Sequence, residues 1–138
     1  MGTKVKVSKD VASKTILKWL DFKQVDDEKR EEQESSIKTM VNAVVYGNLI
    51  MDDKCNFIYN LKFPLEDEGG SVVLDKLKFK PRMKTSEADD KMKNLKNPST
   101  YEMVRCFTAA LTGENMGTLK LMDSEDTRVV NAISSFFL

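Results

Sequence analysis

Histidine is absent from this chain of 138 residues. Because histidine is the commonest general base, a frequent metal ligand and the usual switch near neutral pH, three kinds of functional site lose their most frequent residue. Cysteine is scarce as well, since Cys55 and Cys106 are the only two, each in apolar surroundings. Without a histidine they do not form a conventional cysteine nucleophile. We interpret them as two buried free thiols, with a disulfide as the alternative.

Long apolar runs and a net charge are missing too. The longest apolar stretches are only a few residues, so we expect no helix that crosses a membrane. The basic N-terminus has no apolar core, which argues against an ordinary secretory signal. The 22 basic residues balance 22 acidic ones, so no overall field attracts the chain to nucleic acid or a membrane surface.

Sequence motifs of catalysis and cofactor binding are not found either. There is no G-x-S-x-G elbow, no G-x-x-x-x-G-K-[ST] loop and no G-x-G-x-x-G pattern. The acidic stretches at residues 52–53 and 66–68 lack the ligand spacing of a calcium loop, and we interpret them as turns. We therefore expect no metal, no cofactor and no enzymatic activity.

The apolar pattern that is present predicts an α+β fold, mainly helical, in a single domain of residues 1–138. A short alternating run at Lys4–Val7 and two helices occupy residues 1–46. The first helix begins after Ser8, and the second runs from about Asp26 to Tyr46, polar at its start and apolar at its end. Gly47 ends the second helix.

Residues 47–84 predict a small antiparallel sheet in the middle of the chain. Two strands lie on either side of a turn at residues 52–54, and a third strand begins at Val72. We expect Pro64 to end the second strand and Pro81 to place the third at the edge of the sheet.

Residues 85–138 predict a helical C-terminal half. Thr85 or Ser86 would cap its first helix. Ser99 and Glu102 have the spacing of a capping box at the start of the next helix, which Gly113 would end. A final helix would begin at residue 123 or 124.

Five cations alternate with apolar residues along the third predicted strand and would share one of its faces. Such a face could contact an anion or an acidic partner. The alternative is an edge strand whose lysines discourage pairing with other chains. We favour the second interpretation, because no aromatic platforms lie beside these cations. They are Lys76, Lys78, Lys80, Arg82 and Lys84.

The chain finishes with apolar side chains that have no polar cap. Either they fold back into the protein's own core, or another chain covers them. We give the two interpretations equal weight and predict that the terminal helix face forms a contact surface, supported by the helix before it. The predicted contact residues are Val129, Val130, Ile133, Phe136, Phe137 and Leu138, with Met103, Phe107 and Leu111 in support.

The order of features over residues 60–138 resembles that of the tail assembly chaperones of long-tailed phages. In that family a helix ending near L-T-G leads to an L-x-x-x-D start of the terminal helix, and the strand LKFKPRM before TSEADD is also similar to the family's pattern. The N-terminal half departs from the compact members of the family. The residues that carry the resemblance are Leu111, Thr112, Gly113, Leu121, Met122, Asp126, Val129, Val130 and Phe136.

This resemblance implies a non-enzymatic protein of the host cell cytoplasm that keeps the tape-measure protein of a phage soluble while tail-tube subunits assemble around it. A tape-measure-type client is thus the implied partner, with the tail tube protein as a second, and self-association is left open. The main alternative is a structural component of a virion or another assembly. A further alternative is a small nucleic-acid-binding module that uses the five-cation strand.

Overall fold

Helices make up 54% of residues 4–138 and pack around a three-stranded antiparallel sheet, which confirms the predicted α+β, mainly helical fold. A computed structural model describes residues 4–138. The helices are α1 (Lys9–Lys23), α2 (Asp27–Glu32), α3 (Glu34–Val45), α4 (Thr85–Met92), α5 (Thr100–Thr112), α6 (Met116–Lys120) and α7 (Ser124–Ser134). The strands are β1 (Leu49–Met51), β2 (Phe57–Glu66) and β3 (Val72–Phe79), and a 3₁₀ turn at Ser135–Phe137 follows α7.

The first helix begins where the sequence predicts, because the Ser8 hydroxyl accepts a hydrogen bond from the Val11 amide at 3.2 Å. The single helix predicted over residues 26–46 is wrong, since a break at Gln33 (φ −105°, ψ 23°) divides it into α2 and α3. No side chain of α2 is buried. Its Arg30 donates to the Val25 carbonyl at 2.8 Å instead, so α2 is held by polar contacts to its surroundings rather than by the apolar face of α3.

The alternating run Lys4–Val7 is not a strand. The amides of Lys6 and Val7 both donate to the carbonyl of Val45, at 2.8 and 3.1 Å. This segment therefore closes the C-terminal end of α3, where helix carbonyls lack partners within the helix. The alternation of basic and apolar residues did not by itself distinguish a strand from a segment that closes a helix end.

The sheet has the strand order β1-β2-β3, with Asp52 in the turn of the first hairpin. The edge position predicted for β3 is confirmed, although β3 ends at Phe79, before Pro81. The prediction that Pro64 ends the second strand is wrong, because β2 continues to Glu66. An irregular register between Asn60 and Leu65 interrupts the pairing with β3 at this point, so the missing amide hydrogen of proline is tolerated.

The start and end of α5 form as predicted. The Ser99 hydroxyl accepts from the Glu102 amide at 3.2 Å, and the Glu102 carboxylate accepts from the Ser99 amide at 3.1 Å, which is a complete capping box. Gly113 ends the helix with φ 78°, a left-handed conformation that glycine adopts without a steric penalty.

The other helix starts differ partly from expectation. Asp123 caps α7 as predicted, since its carboxylate accepts from the Glu125 amide at 2.8 Å. Neither Thr85 nor Ser86 caps α4, which begins after Lys84 without a side-chain cap. The short helix α6 was not predicted, although Asn115 caps it by accepting from the Thr118 amide at 2.7 Å.

One apolar core lies between the sheet and the longer helices. The terminal helix α7 packs against α3, α5 and β2, so it is among the most enclosed elements.

Cys55 and Cys106 are buried free thiols, which confirms that interpretation over a disulfide. No helix within residues 4–138 combines the length and apolar character needed to cross a bilayer.

Candidate interaction surface

The predicted contact face of the terminal helix lies in the protein's own core. Val129, Val130, Ile133 and Phe136 are each 3% exposed or less, because α3, α5 and β2 enclose α7. These four residues therefore form no surface in the folded chain, and the core interpretation is the correct one for them. Leu138, by contrast, is 51% exposed.

The residues predicted to support that face are divided in the same way. Leu111 is fully buried, and its carbonyl accepts a hydrogen bond from the Lys80 amide at 3.0 Å, which joins α5 to the end of β3. Met103 and Phe107 are half-buried on α5. Of the predicted contact residues, only these two, Phe137 and Leu138 retain accessible side-chain surface.

The N-terminal helices cover most of the chain end. The Trp19 ring of α1 meets the Phe136 ring edge-on, with centroids 5.6 Å apart and planes 80° apart, and lies 6.2 Å from the Phe137 ring. Lys29 of α2 donates to the Phe136 carbonyl at 3.2 Å and to a main-chain oxygen of the last residue, Leu138, at 3.0 Å. Trp19 thus covers the apolar side chains of the last turn. Lys29 binds main-chain oxygens that have no partner within the helix.

The five predicted cations do not share a strand face. Lys76 and Lys78 lie on β3, and both are exposed. Lys80 follows the strand and forms an ion pair with Glu87 at 2.7 Å, whereas Lys84 directly precedes α4. Arg82 donates to the Phe22 carbonyl at 3.1 Å and so faces α1 instead of continuing the row. The strand ends before its alternation is complete, which is why the prediction of one basic face is wrong.

Three large apolar side chains are exposed on the far end of the β2–β3 hairpin, which we call the distal arm (residues 61–74). Phe63 is 53% exposed, Val72 57% and Val73 60%. The base of the arm is anchored, because Leu61 and Leu74 are buried in the core. This surface was not predicted from the sequence, because Pro64 was expected to end the second strand.

A buried carboxylate holds the base of the distal arm. Asp126, in the first turn of α7, is fully buried. One of its oxygens accepts from the Tyr59 hydroxyl at 2.6 Å and from the Lys62 amide at 2.8 Å, and the other accepts from the Phe63 amide at 3.1 Å. The carboxylate thereby satisfies the strand amides that neither β1 nor β3 pairs at the irregular part of β2. Three donors and the N-terminal end of a helix allow this anion to be buried without a cation.

The same contact changes the acidity of Tyr59. Burial, together with the hydrogen bond to Asp126 and its negative charge, raises the pKa of the Tyr59 hydroxyl far above its ordinary value. The hydroxyl therefore stays a hydrogen-bond donor at neutral pH. The contact joins α7 to β2 across more than sixty positions of sequence and fixes the direction in which the distal arm leaves the core.

An open groove of ≈ 640 Å³ lies between α3, α5 and α7. Its lining combines hydroxyl and amide side chains with the exposed end of the chain, including Ser36, Thr39, Tyr101, Asn131 and Leu138.

Within residues 4–138 no three histidine, cysteine, aspartate or glutamate side chains come together as metal ligands would. The two acidic stretches form turns, since Asp52 accepts from the Asn56 amide and Asp67 from the Ser71 amide, both at 2.9 Å.

Comparisons with protein families, with curated proteins and with solved structures found no match.

Proposed function

We propose that this chain is a non-enzymatic assembly chaperone of the phage-tail type, which keeps a long helical client soluble by covering its apolar side chains. The observation that carries the proposal is the distal arm, where Phe63, Val72 and Val73 project from an anchored hairpin. Exposed apolar side chains on a fixed support are typical of surfaces that bind other proteins.

The resemblance to tail assembly chaperones supports the same proposal. Two of the residues that carry it have defined structural tasks here, since Gly113 ends α5 and Asp126 anchors the distal arm. The proposed client is a tape-measure-type protein, with the tail tube protein as a second partner, in the cytoplasm of the infected host. Self-association of the chaperone around the client would be compatible with this role.

Co-expression with the tape-measure-type protein of the same genome tests the proposal. We expect a soluble complex when this chain is affinity-purified, and an insoluble client when it is expressed alone. A client that is soluble by itself and does not co-purify would contradict the chaperone function. If the chain is instead retained in purified particles, it is a structural component of the assembly.

A matched pair of substitutions tests the distal arm. Val73→Ser removes an apolar side chain that is 60% exposed on the arm, and Val5→Ser removes one that is 63% exposed before α1. We expect the first variant to lose client from the purified complex and the second to retain it, with both folded, because surface substitutions of this kind change stability by about 0.5 kcal/mol or less. Equal retention would remove the arm from the proposed surface.

A further inference from the structure

The second helix, α2, is short and has little stability of its own. It contains six residues, whereas an isolated helix needs about 12–15 residues to be even marginally stable in water. Asp27 and Glu31 are like charges one turn apart, and such pairs destabilise a helix. Glu28 and Glu32 form a second pair of the same kind. Because α2 has no apolar residue and no buried side chain, its contacts to other parts of the chain must hold it in place.

Two side chains of this segment hold the chain end, which we define as residues 135–138. Lys29 donates to the Phe136 carbonyl at 3.2 Å and to a main-chain oxygen of Leu138 at 3.0 Å. Gln33, which directly follows α2, accepts a hydrogen bond from the Ser135 hydroxyl at 3.2 Å. Both side chains therefore bind the same four residues.

A third side chain holds the segment on its other side. Arg30 donates to the Asp21 carboxylate in α1 and to the Val25 carbonyl just after α1, both at 2.8 Å. We call residues 27–33 the strap, because they join the end of α1 to the chain end. Polar contacts at partly exposed sites each contribute little to stability, so the strap is held more weakly than α3, whose apolar face is buried.

We propose that the strap is a conformational device that opens while the core stays folded and, when it opens, frees the chain end from the side of Trp19. The strap and the chain end share three hydrogen bonds, so the closed position of each favours the closed position of the other. Trp19 is only 2% exposed, and the half-buried Phe137 lies beside it, with the ring centroids 6.2 Å apart. Movement of Phe137 would therefore uncover Trp19.

The open strap makes apolar side chains accessible that the closed strap keeps covered. Phe136 stays in the core, because it follows α7, which α3, α5 and β2 enclose. The Lys23 ammonium also contacts the Phe137 ring, 3.5 Å from its centroid, but one cation–π interaction at a partly exposed site is weak. The strap thus decides whether Trp19 and Phe137 are covered by the protein itself or can contact another chain. This inference goes beyond the proposed function, which places the client on the distal arm.

Native-state hydrogen exchange tests whether the strap opens by itself. The amides of Arg30 and Gln33 donate to the carbonyls of Asp26 and Lys29, so their exchange reports opening of α2. Val44, buried in α3, reports the core. We expect the two strap amides to be at least about 100-fold less protected than the Val44 amide. Equal protection would mean that α2 opens only when the whole protein unfolds, which would overturn the proposal.

Charge reversal at Lys29 tests the coupling between the strap and the chain end. Lys29→Glu removes both donors to the chain end and adds a carboxylate to a segment that already contains four. We therefore expect this variant to favour the open strap. The matched control Lys38→Glu reverses an exposed lysine of α3, whose ion pair with Glu34 spans 3.5 Å.

Acrylamide quenching of fluorescence reports the chain end in these variants, because Trp19 is the only tryptophan. We expect quenching at least about twofold stronger in Lys29→Glu than in wild type and unchanged in Lys38→Glu, with the Val44 amide protected in both. Faster exchange in the strap of Lys29→Glu without stronger quenching would overturn the proposal, and so would loss of the Val44 protection. Both measurements use the protein alone, so a failed co-expression experiment would refute the chaperone function without deciding this result.

Discussion

The hydrogen bond between Tyr59 and Asp126 is expected to be a main support of the fold, and Tyr59→Phe tests it. The substitution removes one hydroxyl and keeps the ring, which is fully buried. Asp126 then retains two backbone donors, the amides of Lys62 and Phe63, but loses its shortest contact, at 2.6 Å. The change is therefore confined to one charged hydrogen bond.

The expected loss follows from the charge and burial of this bond. Hydrogen bonds to charged groups contribute about 1.5–3 kcal/mol, and full burial of both residues removes water as a substitute. At a urea dependence of about 2 kcal/mol per M, Tyr59→Phe should lower the unfolding midpoint by roughly 1 M. Asp126→Asn should cost more, because its amide group would place a donor against either the Phe63 amide or the other two donors.

Urea unfolding monitored by circular dichroism measures both losses, with Tyr101→Phe as the control. Tyr101 is 75% exposed, and its hydroxyl has no hydrogen-bond partner in the described structure, so its removal should change the midpoint little. The double variant Tyr59→Phe/Asp126→Asn should be less destabilised than the sum of the two single changes. An unchanged midpoint for Tyr59→Phe, or equal losses for Tyr59 and Tyr101, would refute this account of the buried carboxylate.

Further predictions concern pH, the chain end and a helix terminus. The pKa of Tyr59 in the folded protein is raised above its ordinary value of 10.0. The contribution of the Tyr59 hydroxyl to the free energy of unfolding is therefore complete below that pH and is lost as the pH rises further. The difference in urea midpoint between wild type and Tyr59→Phe should accordingly shrink above about pH 10. Phe136→Ala should cost about 3–5 kcal/mol and Leu138→Ala under about 0.5 kcal/mol in the same assay, since only the first side chain is buried. Gly113→Ala should lower the free energy of unfolding by roughly 1–2 kcal/mol, measured by thermal unfolding, because φ is 78°. No atom lies within 4 Å of the new methyl group, so the loss comes from the backbone conformation and not from a steric clash.

Local chemistry was predictable from the sequence wherever the interacting groups are neighbours in the chain. Ser99 and Glu102 are three positions apart, and their capping box forms as expected. The left-handed end of α5 at Gly113 follows from the same kind of short-range rule. In both cases the residue types alone select the backbone conformation.

Features that depend on distant partners were not predictable in this way. The break at Gln33 has no local breaker, because Gln and Glu are good helix formers, and it reflects what α2 and α3 contact. Asp126 looks like any acidic residue that complements a helix dipole, as Glu125 does. Its donors come from β2, so only the resemblance, which included Asp126, marked the position, and it marked a helix start rather than a buried anchor.

The question of whether the apolar chain end is core or surface depends on its helical geometry. Amphipathic spacing identified one face through Val129, Val130 and Ile133, but it could not say what would cover that face. Successive residues of the 3₁₀ turn point about 120° apart, because this helix has about three residues per turn. Phe136 and Phe137, which are both in this turn, therefore cannot face one core together, and Leu138 follows the turn. Phe136 is accordingly buried, Phe137 lies at the rim under Lys23, and Leu138 is exposed. The same apolar ending thus anchors the last turn in the core through Phe136 and leaves Leu138 exposed beside it.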